Sequence, residues 1–447
     1  MEICTVGGYE QVGKNMTAVK IGEDVFIFDA GLYLPAIVEI QEQEKNIKFT
    51  EKDLRRIGAI PDDLILDKLG WREKVRAIII GHAHLDHVGA LPFIAYRYPN
   101  AIIMATPFTM HVFDSLTKDE NITIKNPKKI IMPDSVHYIK GKSSNYKIEF
   151  IHTTHSTLQC VFAALHTNEG IFFYALDFKF DNFPVIGDPP RYKKLGELGR
   201  KGIKALVIDA LYSGTHRKTP SERIARYLVE ETFNSIKNTN GLIIATTFSS
   251  HIARLKSIVD FGKRLNRKII FVGRSLEKYV SAAIKTNLCP FKKDIKMIKF
   301  RKQVNSFLSK IERNRREYLV VCTGHQGEPG SVLDRISRDE TPLKLREGDH
   351  VVFCSSVIPD PVNINARDKL DKRLRKKGVR LHTDIHVSGH GSREDMRDLI
   401  KILKPKHVIP AHGSLQQEAP LIELASELGY KFGETSHLSS NGKVLKI

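Results

Sequence analysis

His82-Ala83-His84-Leu85-Asp86-His87 packs three imidazoles and a carboxylate into one short stretch of backbone. Alternate residues of an extended or turning segment point the same way, so His82 and His84 can grip one metal ion. Asp86 and His87, past the bend, then face a second. Imidazole nitrogen with carboxylate oxygen, and no thiolate, is the ligand set of hydrolytic zinc or manganese rather than of structural zinc. The preceding Val75-Arg76-Ala77-Ile78-Ile79-Ile80 is a β-branched run that predicts a buried strand ending at Gly81. Residues 88–95 predict the start of a helix. The ligands therefore fall on a loop at the carboxyl end of a strand, where a rigid sheet can hold them.

A chain of 447 residues exceeds one core and predicts two or three globular units. Hydrophobic content of 41% and charged content of 27% are those of an ordinary soluble protein. No apolar run is long enough for a transmembrane helix. The chain opens on the strand-like Ile3-Cys4-Thr5-Val6 rather than on a basic-then-apolar leader. Cys4, Cys160, Cys289, Cys322 and Cys354 form no C-x-x-C pair, which excludes a zinc knuckle or a dithiol redox motif. A cytoplasmic protein without membrane attachment is expected.

The net charge of +19 is concentrated, with 17 Lys/Arg against 4 Asp/Glu in residues 261–320. Lys-rich proteins solvate their helices in this way. Beside a hydrolytic metal site, however, a basic stripe points to a polyanion, and nucleic acid is the obvious one.

Residues 1–35 read as strands (3–6, 16–21, 25–28) and tight turns. Gly8 to Asn15 nearly spells a phosphate-binding P-loop. It has Asn15 where Ser or Thr is needed, and a strand where a helix should begin, which excludes that reading. Residues 36–74 are polar with weak periodicity and predict a surface insertion. Strands recur at 101–105, 147–151, 161–165, 171–176 and 205–208. After Asp209, apolar strands at 242–245, 268–272, 318–321 and 350–353 alternate with helices near 250–264 and 276–284. That rhythm predicts a doubly wound parallel α/β unit, inserted into the first domain because His-rich motifs then return. The expected division is 1–210, an inserted 211–365, and a return segment 366–447.

Each remaining candidate ligand closes a predicted strand: His155, Asp177, whose carboxylate could bridge two ions, and His412. Asp29 closes another, where it would orient a ligand by hydrogen bond. In this order the motifs resemble those of the metallo-β-lactamase superfamily, which implies a four-layer αββα fold. The resemblance gives one metal His82, His84, His155 and bridging Asp177, and the other Asp86, His87, Asp177 and His412. Two divalent ions are implied, zinc first and manganese as the alternative. The inserted α/β unit resembles the β-CASP branch, to whose motifs Asp209 and His390 correspond. Histidine at the last motif, His412, is that branch's mark of action on RNA.

Gly7-Gly8 through Met16, Asp177-Phe178-Lys179-Phe180-Asp181, Gly324-His325-Gln326-Gly327-Glu328-Pro329 and His386-Val387-Ser388-Gly389-His390-Gly391 are similar to motifs of the ribonuclease J family. The segments after His155 and Asp209 depart from that family's usual sequels. The chain ends about 35 residues after His412, as the shorter archaeal form does. The resemblance implies a 5′→3′ exoribonuclease acting on single-stranded RNA with a 5′-monophosphate and releasing 5′-nucleotides; a homodimer is one assembly this reading leaves open. Asp86, Asp209 and His390 would be catalytic, with His390 protonating the departing oxygen. His386 and Ser388 would hold the 5′-phosphate, and Gln326 and Gly327 would line the channel. Thr247, Ser249 and Ser250 end a strand and either donate to phosphate or cap a helix. An endonuclease of the 3′-end-processing type and a non-catalytic RNA-binding subunit are the alternatives.

Overall fold

Strand Asp24–Phe28 carries no polar face: Val25 and Ile27 point into one apolar layer and Phe26 and Phe28 into another. A strand with this pattern must be covered on both sides, and it lies in the middle of a seven-stranded sheet. The computed structural model describes residues 1–43, 48–299 and 301–447. Among these, the first sheet runs 443–446, 2–7, 16–21, 24–28, 75–79, 102–105, 128–130, and a second, six-stranded sheet runs 407–411, 203–209, 170–175, 161–167, 145–152, 136–140.

The two sheets face each other across Phe26, Phe28, Ile79, Phe150, Phe172 and Tyr174. Helices cover both outer faces. Leu66, Trp71, Leu91 and Phe113 pack on the first sheet. Leu195, Leu198, Met396, Leu399 and Leu421 pack on the second. This is the αββα arrangement expected.

A third sheet, ordered 295–298, 268–272, 318–322, 243–246, 350–353, 380–382, is parallel throughout. Its strands also alternate between two cores. Ile243, Ala245, Leu319 and Val321 meet helices Ile252–Arg264 and Arg274–Lys285 on one face, while Ile244, Val320 and Cys322 meet Val332–Ser337 and Pro361–Lys376 on the other. Ala83, Phe108 and Val112 of the αββα unit belong to the first of these cores, so the two units share packing. The Tyr279 hydroxyl also donates to the Ala83 carbonyl at 3.1 Å, within the histidine motif itself.

Three expectations need correction. Residues 36–74 are not a surface insertion: Leu54, Leu66 and Trp71 are 2%, 0% and 3% exposed and form part of the outer helical layer, residues 44–47 lying outside the described ones. The helix expected over 88–95 is two single turns, Leu85–Val88 and Leu91–Ile94, which keep the ligand loop tight. The parallel sheet continues past residue 365, since Pro361–Lys376 packs on it and Arg380–His382 is its edge strand. The chain returns to the αββα unit only after His382.

Candidate metal centre

Three strands of the two facing sheets end in an acidic or imidazole residue with left-handed backbone: Asp29 (φ 61°), Asp177 (φ 56°) and His412 (φ 63°). Such conformations are costly for non-glycine residues and cluster at functional sites. All three side chains are 1% exposed. They converge with the 82–87 loop and His155 at one edge of the sandwich.

Ligand-capable atoms of His82, His84, His155 and Asp177 lie within 4.8 Å of one another, and so do those of Asp86, His87, Asp177 and His412. Asp177 is common to both groups. Its Oδ2 is 3.3 Å from His82 Nε2, 3.1 Å from His87 Nε2 and 3.5 Å from His155 Nε2, while its Oδ1 is 3.8 Å from His412 Nε2. Asp209 and His390 form a third group with Asp177.

The outer hydrogen bonds of the rings fix which nitrogen faces inward. His155 Nδ1 donates to the Gly389 carbonyl at 2.7 Å, leaving an Nε2 lone pair 3.0 Å from His84 Nδ1. His87 Nδ1 donates to Asp29 Oδ2 at 2.7 Å. Asp29 is itself held by the Tyr174 hydroxyl at 3.0 Å and the Gly81 amide at 2.8 Å. His390 Nδ1 donates to Asp209 Oδ2 at 2.7 Å, and its Nε2 turns toward Asp177 at 3.8 Å.

These atoms suit a pair of cations. Both carboxylate oxygens of buried Asp177 lack a hydrogen-bond partner, an expensive state unless a positive charge is near. Burial, then the neighbouring imidazoles, holds His84 and His155 far below the ordinary imidazole value, so both rings are neutral ligands. Burial opposes charge on His87 too, but Asp177, Asp29 and Asp86 outweigh it and raise that ring well above its usual value. Asp177 stays ionised against its burial because His412, His87, His390 and His82 surround it. Burial likewise works against charged His390, and Asp177 and Asp209 outweigh it, pushing the ring up to about 9.

Two supporting residues have no metal-binding chemistry and were not anticipated in these roles. Asn15 Nδ2 lies 2.7 Å from His412 Nδ1 and donates to the Asp86 carbonyl at 3.0 Å, tying the two ends of the chain together at the site. Ser250 Oγ, offered by the third sheet, is 3.0 Å from His84 Nε2. Gly31 serves by its size, since a Cβ there would lie 1.6 Å from the Asp86 carbonyl oxygen.

Other expected binding residues have different tasks. The Gln326 carboxamide is used up on the loop beside it, donating to Ser356 O and accepting from Ile358 N, both at 2.9 Å. Gly327 (φ 78°) is a close-packing point, where a Cβ would meet the Ala366 carbonyl oxygen at 2.4 Å. The Gln326 side chain is 3% exposed. Thr247 Oγ1 donates to Cys354 O at 3.0 Å, and the following helix is capped by His251 rather than by the serines. Ser249 is half-buried on the same turn, and His386 and Ser388 are half-buried beside His390.

Residues 10–167 match the metallo-β-lactamase superfamily, 240–367 the ribonuclease J β-CASP domain, and 378–433 a Zn-dependent metallo-hydrolase RNA specificity domain. Ribonuclease J of Pyrococcus abyssi is 40% identical over 100% of this chain and 97% of its own. The chain belongs to the ribonuclease J family. Ribonuclease J of Methanocaldococcus jannaschii is 38% identical, covering 100% of this chain and 99% of its own. Ribonuclease J 1 of Streptococcus pyogenes is 30% identical over 100% of this chain and 74% of its own. In fold, a crystallised protein of unknown function from Enterococcus faecalis superposes with a TM-score of 0.61 at 15% identity, covering 99% of each chain. The ribonuclease J member described here is thus a metallo-hydrolase with a His/Asp cluster compatible with two metal ions. Among its described residues no helix is long and apolar enough to cross a membrane.

Proposed function

We propose that the protein is a metal-dependent 5′→3′ exoribonuclease that hydrolyses single-stranded RNA from a 5′-monophosphate and releases 5′-nucleotides. The observation that carries this reading is the buried Asp177 carboxylate, without a hydrogen-bond partner, shared by two ligand groups and facing the Asp209–His390 pair.

Two divalent ions bound there, zinc by the preponderance of imidazole, would activate water near neutral pH and offset charge on the phosphate. His82, His84, His155 and Asp177 would hold one, and Asp86, His87, Asp177 and His412 the other. The protein's own groups then divide the remaining work. Asp209 fixes the His390 ring and favours its protonated form, which suits Nε2 to give a proton to the departing 3′-oxygen. Ser250, beside His84, can donate to a phosphate oxygen. The net charge of +19 favours approach of a polyanionic chain.

For the 5′-phosphate we assign the turn that carries His386 and Ser388. Ser388 Oγ accepts the His390 amide at 3.0 Å and so shares a turn with the proton donor. Buried Arg254 supports this turn from below, donating to the carbonyls of Ile385 (3.2 Å) and Val387 (3.4 Å).

End-labelled RNA tests the reading. A 5′-monophosphate substrate should yield labelled mononucleotide from the first time point, and a chelator should stop it. His390→Ala should slow cleavage by roughly 10²–10⁴-fold while RNA binding persists. Internal fragments as first products, or equal rates on 5′-triphosphate RNA, would contradict it.

A further inference from the structure

Strands Ile243–Thr246 and Tyr318–Cys322 are adjacent, parallel and in register, Thr246 beside Cys322. After them the chain departs to opposite faces of the sheet: to Ile252–Arg264 on one side and to Val332–Ser337 on the other. Loops that diverge in this way open a crevice at the carboxyl ends of the strands, the usual ligand position in a doubly wound sheet. Two rings meet at this point. Phe248 and His325 lie with centroids 4.2 Å apart and planes at 64°, an edge-to-face contact.

His325 is 8% exposed, its carbonyl held by Arg367 at 3.0 Å and its Nδ1 3.3 Å from the Glu328 carboxylate. Its Nε2 has no hydrogen-bond partner, so beyond its own loop this imidazole braces the phenyl ring. Phe248 remains partly exposed, although Thr247 before it and Ser250 after it are buried. It opens a turn closed by the His251 amide donating to the Phe248 carbonyl at 3.0 Å. Such a turn keeps its ends within about 7 Å. Inside it lies Ser250, the residue that touches His84. The phenyl ring thus shares its turn with Ser250, which reaches the ligand cluster, and is backed by His325 while remaining partly exposed.

We propose that Phe248 is a stacking platform for one nucleobase among the first few of the RNA, with His325 as its positioning residue. Aromatic faces serve single-stranded nucleic acid in this way because every base offers a π-face. This inference rests on the ribonuclease reading and adds to it a base-contacting subsite.

The test scans a 5′-monophosphate RNA with a single abasic nucleotide placed at each of its first positions. Phe248→Ala should lower kcat/KM on intact RNA roughly tenfold, chiefly through KM, and Phe248→Trp should restore it. At one position the abasic substitution should cost the wild type a similar factor and cost Phe248→Ala nothing further. His325→Ala should weaken the effect at that same position. Phe248→Leu keeps apolar bulk and serves if the alanine variant fails to fold. Losses that multiply at every position, or unchanged turnover by folded Phe248 variants, overturn the proposal. Failure of the wild type to cleave intact RNA would instead remove the ribonuclease reading.

Discussion

Asp29 contacts no candidate ion, yet it determines which nitrogen of His87 can. Its carboxylate accepts the hydrogen bond from Nδ1–H and is fixed by Tyr174 and Gly81, so ring, tautomer and angle are set before any metal arrives. Asp29→Asn should lower metal affinity by about 10–100-fold with the fold intact, read by competition against a chromogenic chelator. At this scale legibility follows chemistry. Three histidines and an aspartate in six positions have few other uses, so the 82–87 ligands stand out in the sequence. Asn15 and Ser250 do not, because an amide and a hydroxyl are common everywhere and only the fold brings them to His412 and His84. Gln326 shows a further local task that its motif does not announce: its carboxamide is hydrogen-bonded to Ser356 and Ile358.

Among the elements, helix Leu415–Glu427 follows His412 and buries a carboxyl without a partner, Glu418, at 0% exposure. Burial, then nearby Glu10, pushes that group up to about 10, so it is neutral in the folded chain. An acid whose value is raised on folding contributes its full stability below the unfolded value near 4.5 and loses it as pH rises toward 10. The loss is on the order of 1 kcal/mol per pH unit within that window. Glu418→Gln should therefore melt several degrees above the wild type at pH about 8 and together with it near pH about 4.5, by thermal scans.

Elements with a strict apolar pattern, such as four of the five strands between 242 and 353, are read directly from sequence, whereas the short Ile295–Ile298 is not. Nor is the 36–74 segment, because its buried anchors are spread over two short helices, with Leu54 and Leu66, and the turn at Trp71, which never complete a periodic run.

Over the whole molecule, the site is assembled from ends that only tertiary structure brings together. The His412 amide donates to the Gly8 carbonyl at 2.6 Å, and Ala83, between two ligands, packs in the core of the inserted unit. Ions bound at such a point stabilise both units together. Saturating metal at about a thousandfold over Kd adds roughly 4 kcal/mol, so chelation should lower Tm by roughly four or five degrees. The inserted parallel unit is legible in the alternation of strands and helices, whereas the αββα layering is read from the family resemblance. The extension of the parallel sheet to His382 is legible in neither, because Arg380–His382 is a three-residue edge strand with little apolar pattern.

The most direct measurement is anomalous diffraction at a metal absorption edge from crystals of the metal-loaded chain. The account predicts two peaks about 3.5–4 Å apart, with Asp177 bridging them, His82, His84 and His155 on one, and Asp86, His87 and His412 on the other. A single ion, or ions bound away from Asp177, would contradict it.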